Sequence, residues 1–195
     1  SDSITCSWTS PAEDIVYEPS NATFEIGAYG AIDGATVKWN SSIDGPLGES
    51  IVVAEQSVLI VESLSSGVHD ITATVLNEDS TCEVRVSLSF GLPPIIAFLS
   101  PDEGLTFGSE DDVAYAVQVS DPDDSLDELV INWTLNESTL AEQVPSPDGT
   151  ATLPEGLPVG VHVLGAEVVD SLGLTASASL AVDAGTSASE AGCPE

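Results

Sequence analysis

The feature that most limits what this chain can fold into is a set of phrases that each occur twice. Ser10-Pro11-Ala12-Glu13 returns as Ser100-Pro101-Asp102-Glu103, and Trp39 returns as Trp133. Leu64-x-x-Gly67-Val68-His69 returns as Leu157-x-x-Gly160-Val161-His162. The offsets are 90, 94 and 93 positions, so two copies of one folding unit follow each other along the chain. A length of 195 residues accommodates two small domains. The boundaries expected are residues 1–92 for the first domain and 93–183 for the second, with a flexible Gly/Ala/Ser-rich tail over 184–195. The junction Gly91-Leu92-Pro93-Pro94 carries two prolines, whose fixed backbone angle leaves little slack, so a stiff rod is the expected form.

Each copy reads as β-structure. The strands expected are 4–8, 22–29, 36–40, 57–61, 68–75 and 82–90 in the first copy. In the second they are 95–99, 113–119, 129–134, 150–153, 161–169 and 174–182. The runs are short, rich in β-branched residues and separated by Gly, Pro, Asp and Ser turns, and no window shows a 3.6-residue period. Alternation puts His69, Ile71, Ala73 and Val75 on one face, and His162, Leu164, Ala166 and Val168 on the matching face. Two sheets packed over such faces make a sandwich, with Trp39 and Trp133 as equivalent core plugs.

Charge narrows the partners. One lysine (Lys38) and one arginine (Arg85) stand against 33 acidic residues, for a formal net charge of −31. Nucleic acid and anionic membranes find no basic patch here. At 42% hydrophobic residues in alternating runs, the chain has material for real cores and does not read as disordered. No run of 18 apolar residues occurs, so no helical membrane insertion is expected.

The phrases SPAEDIVYEPSNATFEI, VKWNSSIDGPLGE, LSSGVHDITATV, SPDEGLTFGSEDDVAYAVQVSDPDD and LPVGVHVLGAEVVDSLGLTASASLAV resemble the bacterial and archaeal cell-surface Ig-like repeats related to the PKD and cadherin-like families. The W-x-S-x-x-D-G step of those repeats is matched by Trp39, Ser41, Asp44 and Gly45, while the second copy departs after Trp133. The L-x-x-G-x-H and V-x-D-x-x-G-L steps are matched by Leu157, Gly160 and His162 and by Val168, Asp170, Gly173 and Leu174. The first copy keeps the former step and has Asn77 where the second has Asp170. The resemblance implies an all-β fold of two tandem immunoglobulin-like (PKD/cadherin-like) β-sandwich domains. It implies an extracellular or cell-surface location and a non-enzymatic structural or adhesive role, as a rod-like spacer or a filament subunit. A carbohydrate- or protein-binding accessory module of a larger secreted complex is the alternative. Protein partners or self-assembly follow from the first reading and a glycan ligand from the second, for which Trp8, Tyr17 and Tyr29 are the aromatic candidates.

First and last strands lie close in such sandwiches, which implies a disulfide between Cys6 and Cys82; two buried thiols are the alternative. Cys193, in the tail, is either an intermolecular partner or an idle thiol. The acidic loop Asp121-Pro122-Asp123-Asp124-Ser125-Leu126-Asp127-Glu128, together with Asp170, is the metal candidate. Calcium takes six to eight oxygen ligands, and Asp121, Asp123, Asp124, Asp127 and Asp170 supply carboxylates at close spacing. The competing reading is a solvated acidic loop in an acidic protein. N-x-[ST] acceptors begin at Asn21, Asn40, Asn132 and Asn136. No catalytic motif occurs, and the histidines read as structural.

Overall fold

The computed structural model describes residues 3–101, 106–108, 114–154 and 156–185, with backbone alone for 106–108 and 185. Contacts divide it into two units, Ser1–Leu92 and Pro93–Glu195. Cys193 lies outside the described residues.

In the first unit, β1 (Thr5–Ser10), β3 (Ser20–Tyr29) and β6 (Gln56–Ser63) form one sheet in the order β1-β3-β6. The facing sheet contains β2 (Val16–Tyr17), β4 (Thr36–Ser41), β5 (Gly45–Ile51), β7 (Gly67–Asn77) and β8 (Ser80–Phe90), in the order β2-β8-β7-β4-β5. Only β2 and β8 run parallel. The second unit repeats the plan. β9 (Ile95–Ser100), β11 (Ala116–Ser120) and β14 (Thr150–Thr152) form its smaller sheet, in the order β14-β11-β9. β10 (Thr106–Gly108), β12 (Val130–Leu135), β13 (Ser138–Gln143), β15 (Gly160–Val169) and β16 (Thr175–Gly185) form the larger one, in the order β10-β16-β15-β12-β13.

Each core sits between its sheets. Trp39 lies opposite Ala73 and Trp133 opposite Ala166, and these small neighbours leave room for the indoles, which are 1% and 0% exposed. The first core is aromatic-rich: Trp8, Phe24 and Trp39 have ring centroids 5.9–6.3 Å apart. The second has one such ring contact among the described residues, Phe98 on Trp133 at 6.2 Å. The polar ends of the indoles differ too. Trp39 Nε1 donates to Ser50 Oγ at 2.7 Å, whereas Trp133 Nε1 is buried without an acceptor.

Several strands depart from the sequence-based expectation. β5 and β13 were not expected. Both are edge strands with little burial, so neither carries the alternation that marks a half-buried strand. The strand expected over 113–119 begins at Ala116, and residue 113 lies outside the described residues. β16 continues through Ala184 and Gly185, so the first two residues assigned to the flexible tail are strand. His162, expected on the core face, is half-buried where His69 is fully buried. The ring of Phe90 covers His69 edge-on at 5.4 Å. Phe90 pairs with Gly67, and the residue that pairs with Gly160 is Ala184, too small to cover the second imidazole.

A candidate metal centre at one pole of the second domain

The acidic loop leaves β11 at Asp121. Asp121 Oδ1 accepts the backbone N–H groups of Asp123 (2.9 Å) and Asp124 (2.8 Å), which curls the chain tightly. A single 3-10 turn follows over Leu126–Glu128, and the Glu128 carboxylate reaches back to the N–H (3.1 Å) and hydroxyl (2.6 Å) of Ser125. On the opposite side of the pole, the β15–β16 turn is built around Asp170. Its Oδ1 accepts N–H bonds from Leu172 (2.9 Å) and Leu174 (2.7 Å), while Gly173 takes the left-handed backbone at φ +81° that closes the turn. This is the physical content of the D-x-x-G-L step. Asp124 then joins the two loops across 47 positions, its carboxylate accepting from Ser171 N (2.8 Å) and Ser171 Oγ (3.0 Å).

Asp121, Asp124 and Asp170 each bring a carboxylate oxygen within 4.8 Å of the others. Asp170 is 8% exposed, and Asp121 Oδ2 is buried with no hydrogen-bond donor. Burial pushes the Asp121 carboxyl above the ordinary carboxylate range, and the neighbouring Asp123 carboxyl adds to the rise against the two N–H bonds. Such a group is poised to be neutralised, by a proton or by a cation. The three carboxylates furnish part of a calcium shell, and backbone carbonyls and water would complete it. Two of the expected ligands stay outside this trio. Asp123 lies beside Asp121, and Asp127 projects from the 3-10 turn, where Ser125 holds its carboxyl below the usual range. Asp124, not Asp123, completes the cluster.

The first domain closes the same pole differently. Asn77 stands where the second copy has Asp170, and its Oδ1 accepts from Ile32 N at 3.0 Å across 45 positions. Asp33 Oδ1 accepts from Ala54 N (2.8 Å), and Glu55 Oε1 from Gly30 N (3.3 Å).

The other candidate residues fall into place around these poles. Cys6 on β1 and Cys82 on β8 form a disulfide that ties the two sheets of the first domain, with Cα atoms 5.8 Å apart across 76 positions. The second copy has Ile96 and Thr175 at the corresponding places. Both histidines are clips. Gly67 (φ +128°) and Gly160 (φ +139°) turn the chain so that each imidazole reaches a carbonyl four residues back. His69 Nε2 donates to Ser65 O (2.8 Å) and its Nδ1 accepts from the Ser41 hydroxyl (2.7 Å). His162 Nε2 donates to Pro158 O (2.9 Å) and its Nδ1 accepts from Asn136 Nδ2 (3.1 Å). A carbonyl can only accept, which fixes the proton on Nε2 in both rings.

Asn136 opens the two-residue β12–β13 turn with φ +48°, and its Oδ1 also accepts from Val163 N at 2.9 Å. Of the remaining sequon asparagines, Asn21 and Asn40 are exposed and Asn132 is half-buried on β12. Trp8 is packed into the first core and donates to Pro11 O at 2.7 Å, and Tyr17 packs on Phe90. Neither ring is free to stack on a sugar. Tyr29, at 53% exposure, stays open. Lys38 pairs with Glu49 at 3.9 Å and Arg85 with Asp70, so both cationic side chains of the molecule sit on the larger sheet of the first domain, already matched.

Among solved structures, extracellular domains 3–5 of Drosophila OTK superpose with a TM-score of 0.53 at 15% identity, covering 93% of this chain. The fold is immunoglobulin-like. The chain spans 61% of the length of that OTK structure. Fibronectin(III)-like modules of Clostridium thermocellum CbhA align with a TM-score of 0.45 at 11% identity, over 98% of this chain and 100% of theirs. The I67–I69 fragment of titin aligns with 0.46 at 16%, over 87% of this chain and 61% of its own. No protein-family model matches the sequence, and no curated protein does. No helix among the described residues is long and apolar enough to cross a membrane.

Proposed function

We propose that this chain is a non-enzymatic extracellular module, of the kind found in bacterial and archaeal cell-surface Ig-like repeats, with a structural or adhesive role. The Cys6–Cys82 bond carries the reading, because a disulfide joining two sheets persists in oxidising compartments and is rare in reducing ones. The commitment of the histidines and of Trp8 to packing and backbone bonds supports it, since groups that serve other chemistry elsewhere are consumed here by the fold. The test uses cells that make the protein. Labelling intact cells with a membrane-impermeant biotin reagent should tag the chain at Lys38, and a thiol-reactive mass tag should find Cys6 and Cys82 blocked. A chain that stays unlabelled inside the cell with both thiols free refutes the reading.

Within that role, the trio at the pole of the second domain is proposed to hold a divalent cation, calcium by its carboxylate donors. The buried, donorless Oδ2 of Asp121 is the observation that favours it. Titration calorimetry should show one site that disappears in Asp170→Asn. Millimolar binding that does not separate calcium from magnesium returns the loop to a solvated acidic turn.

A further inference from the structure

Sheet edges carry unpaired backbone groups, and proteins usually guard them with lysine, proline, bulges or short strands. The two smaller sheets of this molecule differ in that respect. In the second domain the edge strand β14 is three residues long and is flanked by Pro145, Pro147 and Pro154. In the first domain the edge strand β6 is eight residues long, pairs with β3 in unbroken register, and contains no proline, glycine or bulge. Its stretch Gln56-Ser57-Val58-Leu59-Ile60-Val61 has no charge, in a chain of net charge −31. Val58 and Ile60 point outward at 46% and 66% exposure, and Ile51 and Val53 beside them are 56% and 58% exposed.

We propose that the free edge of β6 pairs antiparallel with β6 of a second copy of this chain, joining two three-stranded sheets into one of six strands about a two-fold axis through Leu59. Residues directly opposite in such a pair must share a face, and the only register centred on the uncharged stretch that also keeps acids apart is this one. It sets Val58 opposite Ile60 of the other copy, Ser57 opposite Val61, and Gln56 opposite Glu62, whose carboxylate can accept from the Gln56 amide. No acid faces an acid. The two Glu25 side chains, one strand further back on each copy, are three strand spacings apart, about 14 Å, beyond the screening length of about 8 Å in physiological salt. The Glu55 carboxylate is held by Gly30 N–H in its own turn. In a molecule this acidic, the self-complementary order Q-S-V-L-I-V-E is what selects a second copy as the occupant. The pairing deepens the reading of a structural module, and it can fail alone: a strictly monomeric chain removes it while leaving the surface-labelling result intact.

The test is sedimentation velocity on the full chain carrying Cys193→Ser, across protein concentration, at physiological salt and at 1 M, where screening shortens to about 3 Å. A reversible dimer that strengthens with salt is expected. Ile60→Glu should weaken it at least about tenfold, because it sets a carboxylate against Val58 in the joint. Gln56→Lys, facing Glu62, should tighten it at physiological salt. Both side chains are exposed, and circular dichroism melts confirm that the variants fold. A monomer at every concentration in both salts overturns the proposal, and so does a dimer indifferent to both substitutions.

Discussion

Breaking the Cys6–Cys82 bond should uncouple the two domains in a melting experiment. The bond closes a loop across 76 positions, and the chain-entropy relation for that length gives about 4.5 kcal/mol at 25 °C. A small domain is stable by only about 5–15 kcal/mol, so the loss removes a large part of the total. For a domain of this size, each kcal/mol moves the midpoint by about 4–8 °C, so a fall of at least about 20 °C is expected. The second domain has Ile96 and Thr175 in place of the cysteines and serves as an internal control. Scanning calorimetry of the full chain should show two transitions, only one of which moves in Cys6→Ala/Cys82→Ala. The double variant is better than a reductant alone, since reduction also acts on Cys193. If neither transition moves by more than the equivalent of about 1 kcal/mol, the loop-closure reasoning is wrong for this fold. If both fall together, the domains do not unfold independently and the assignment of the bond to one of them has no energetic meaning.

Other outcomes follow from single contacts. Trp39→Phe should cost roughly 1–3 kcal/mol more than Trp133→Phe in urea, because only Trp39 gives up a hydrogen bond, to Ser50 Oγ. Asp121→Asn should stabilise the second domain at pH 7 in chelated buffer: the folded state raises the Asp121 pKa, so its charged form costs stability, and that cost fades as the pH falls through the raised value. The gap between variant and wild type should therefore close in acid, and a gap that widens contradicts the sign. Asp44 behaves oppositely. Its bonds to the Ser65 hydroxyl and N–H hold its carboxyl below the usual range, so its contribution is present at neutral pH and lost as the pH drops below the ordinary aspartate value. Asp44→Ala should cost about 1 kcal/mol at pH 7 and little at the acid end of a denaturation series.

The sandwich architecture was legible because its core positions repeat. Trp39 and Trp133, the Gly-x-His steps and the alternation along β7 and β15 all answer to burial, and burial leaves a period in the sequence. What burial does not touch left no period: β5 and β13 lie at sheet edges, and β13 in particular, Ser-Thr-Leu-Ala-Glu-Gln, is exposed along most of its length. His162 was misplaced for a subtler reason, since its alternation is intact and only the loss of the Phe90 ring, replaced by Ala184 some twenty residues away, uncovers it. At the acidic pole, the meeting of Asp121 with Asp170 followed from two turns sharing one end of a sandwich. The choice of Asp124 over Asp123 did not, because it depends on how a two-residue turn rotates successive side chains, which spacing alone does not encode.

The matched pair of cations on the first domain has a consequence for how the molecule is degraded. Trypsin-like proteases need lysine or arginine in an extended, unpaired segment. Lys38 lies on β4, hydrogen-bonded between β5 and β7, and Arg85 lies on β8, beside β7, within the domain whose sheets are covalently tied. The stretch from Pro93 to Glu195 has no such residue at all. Digestion by that class of enzyme must therefore wait for the first domain to open, and the second can only be released whole.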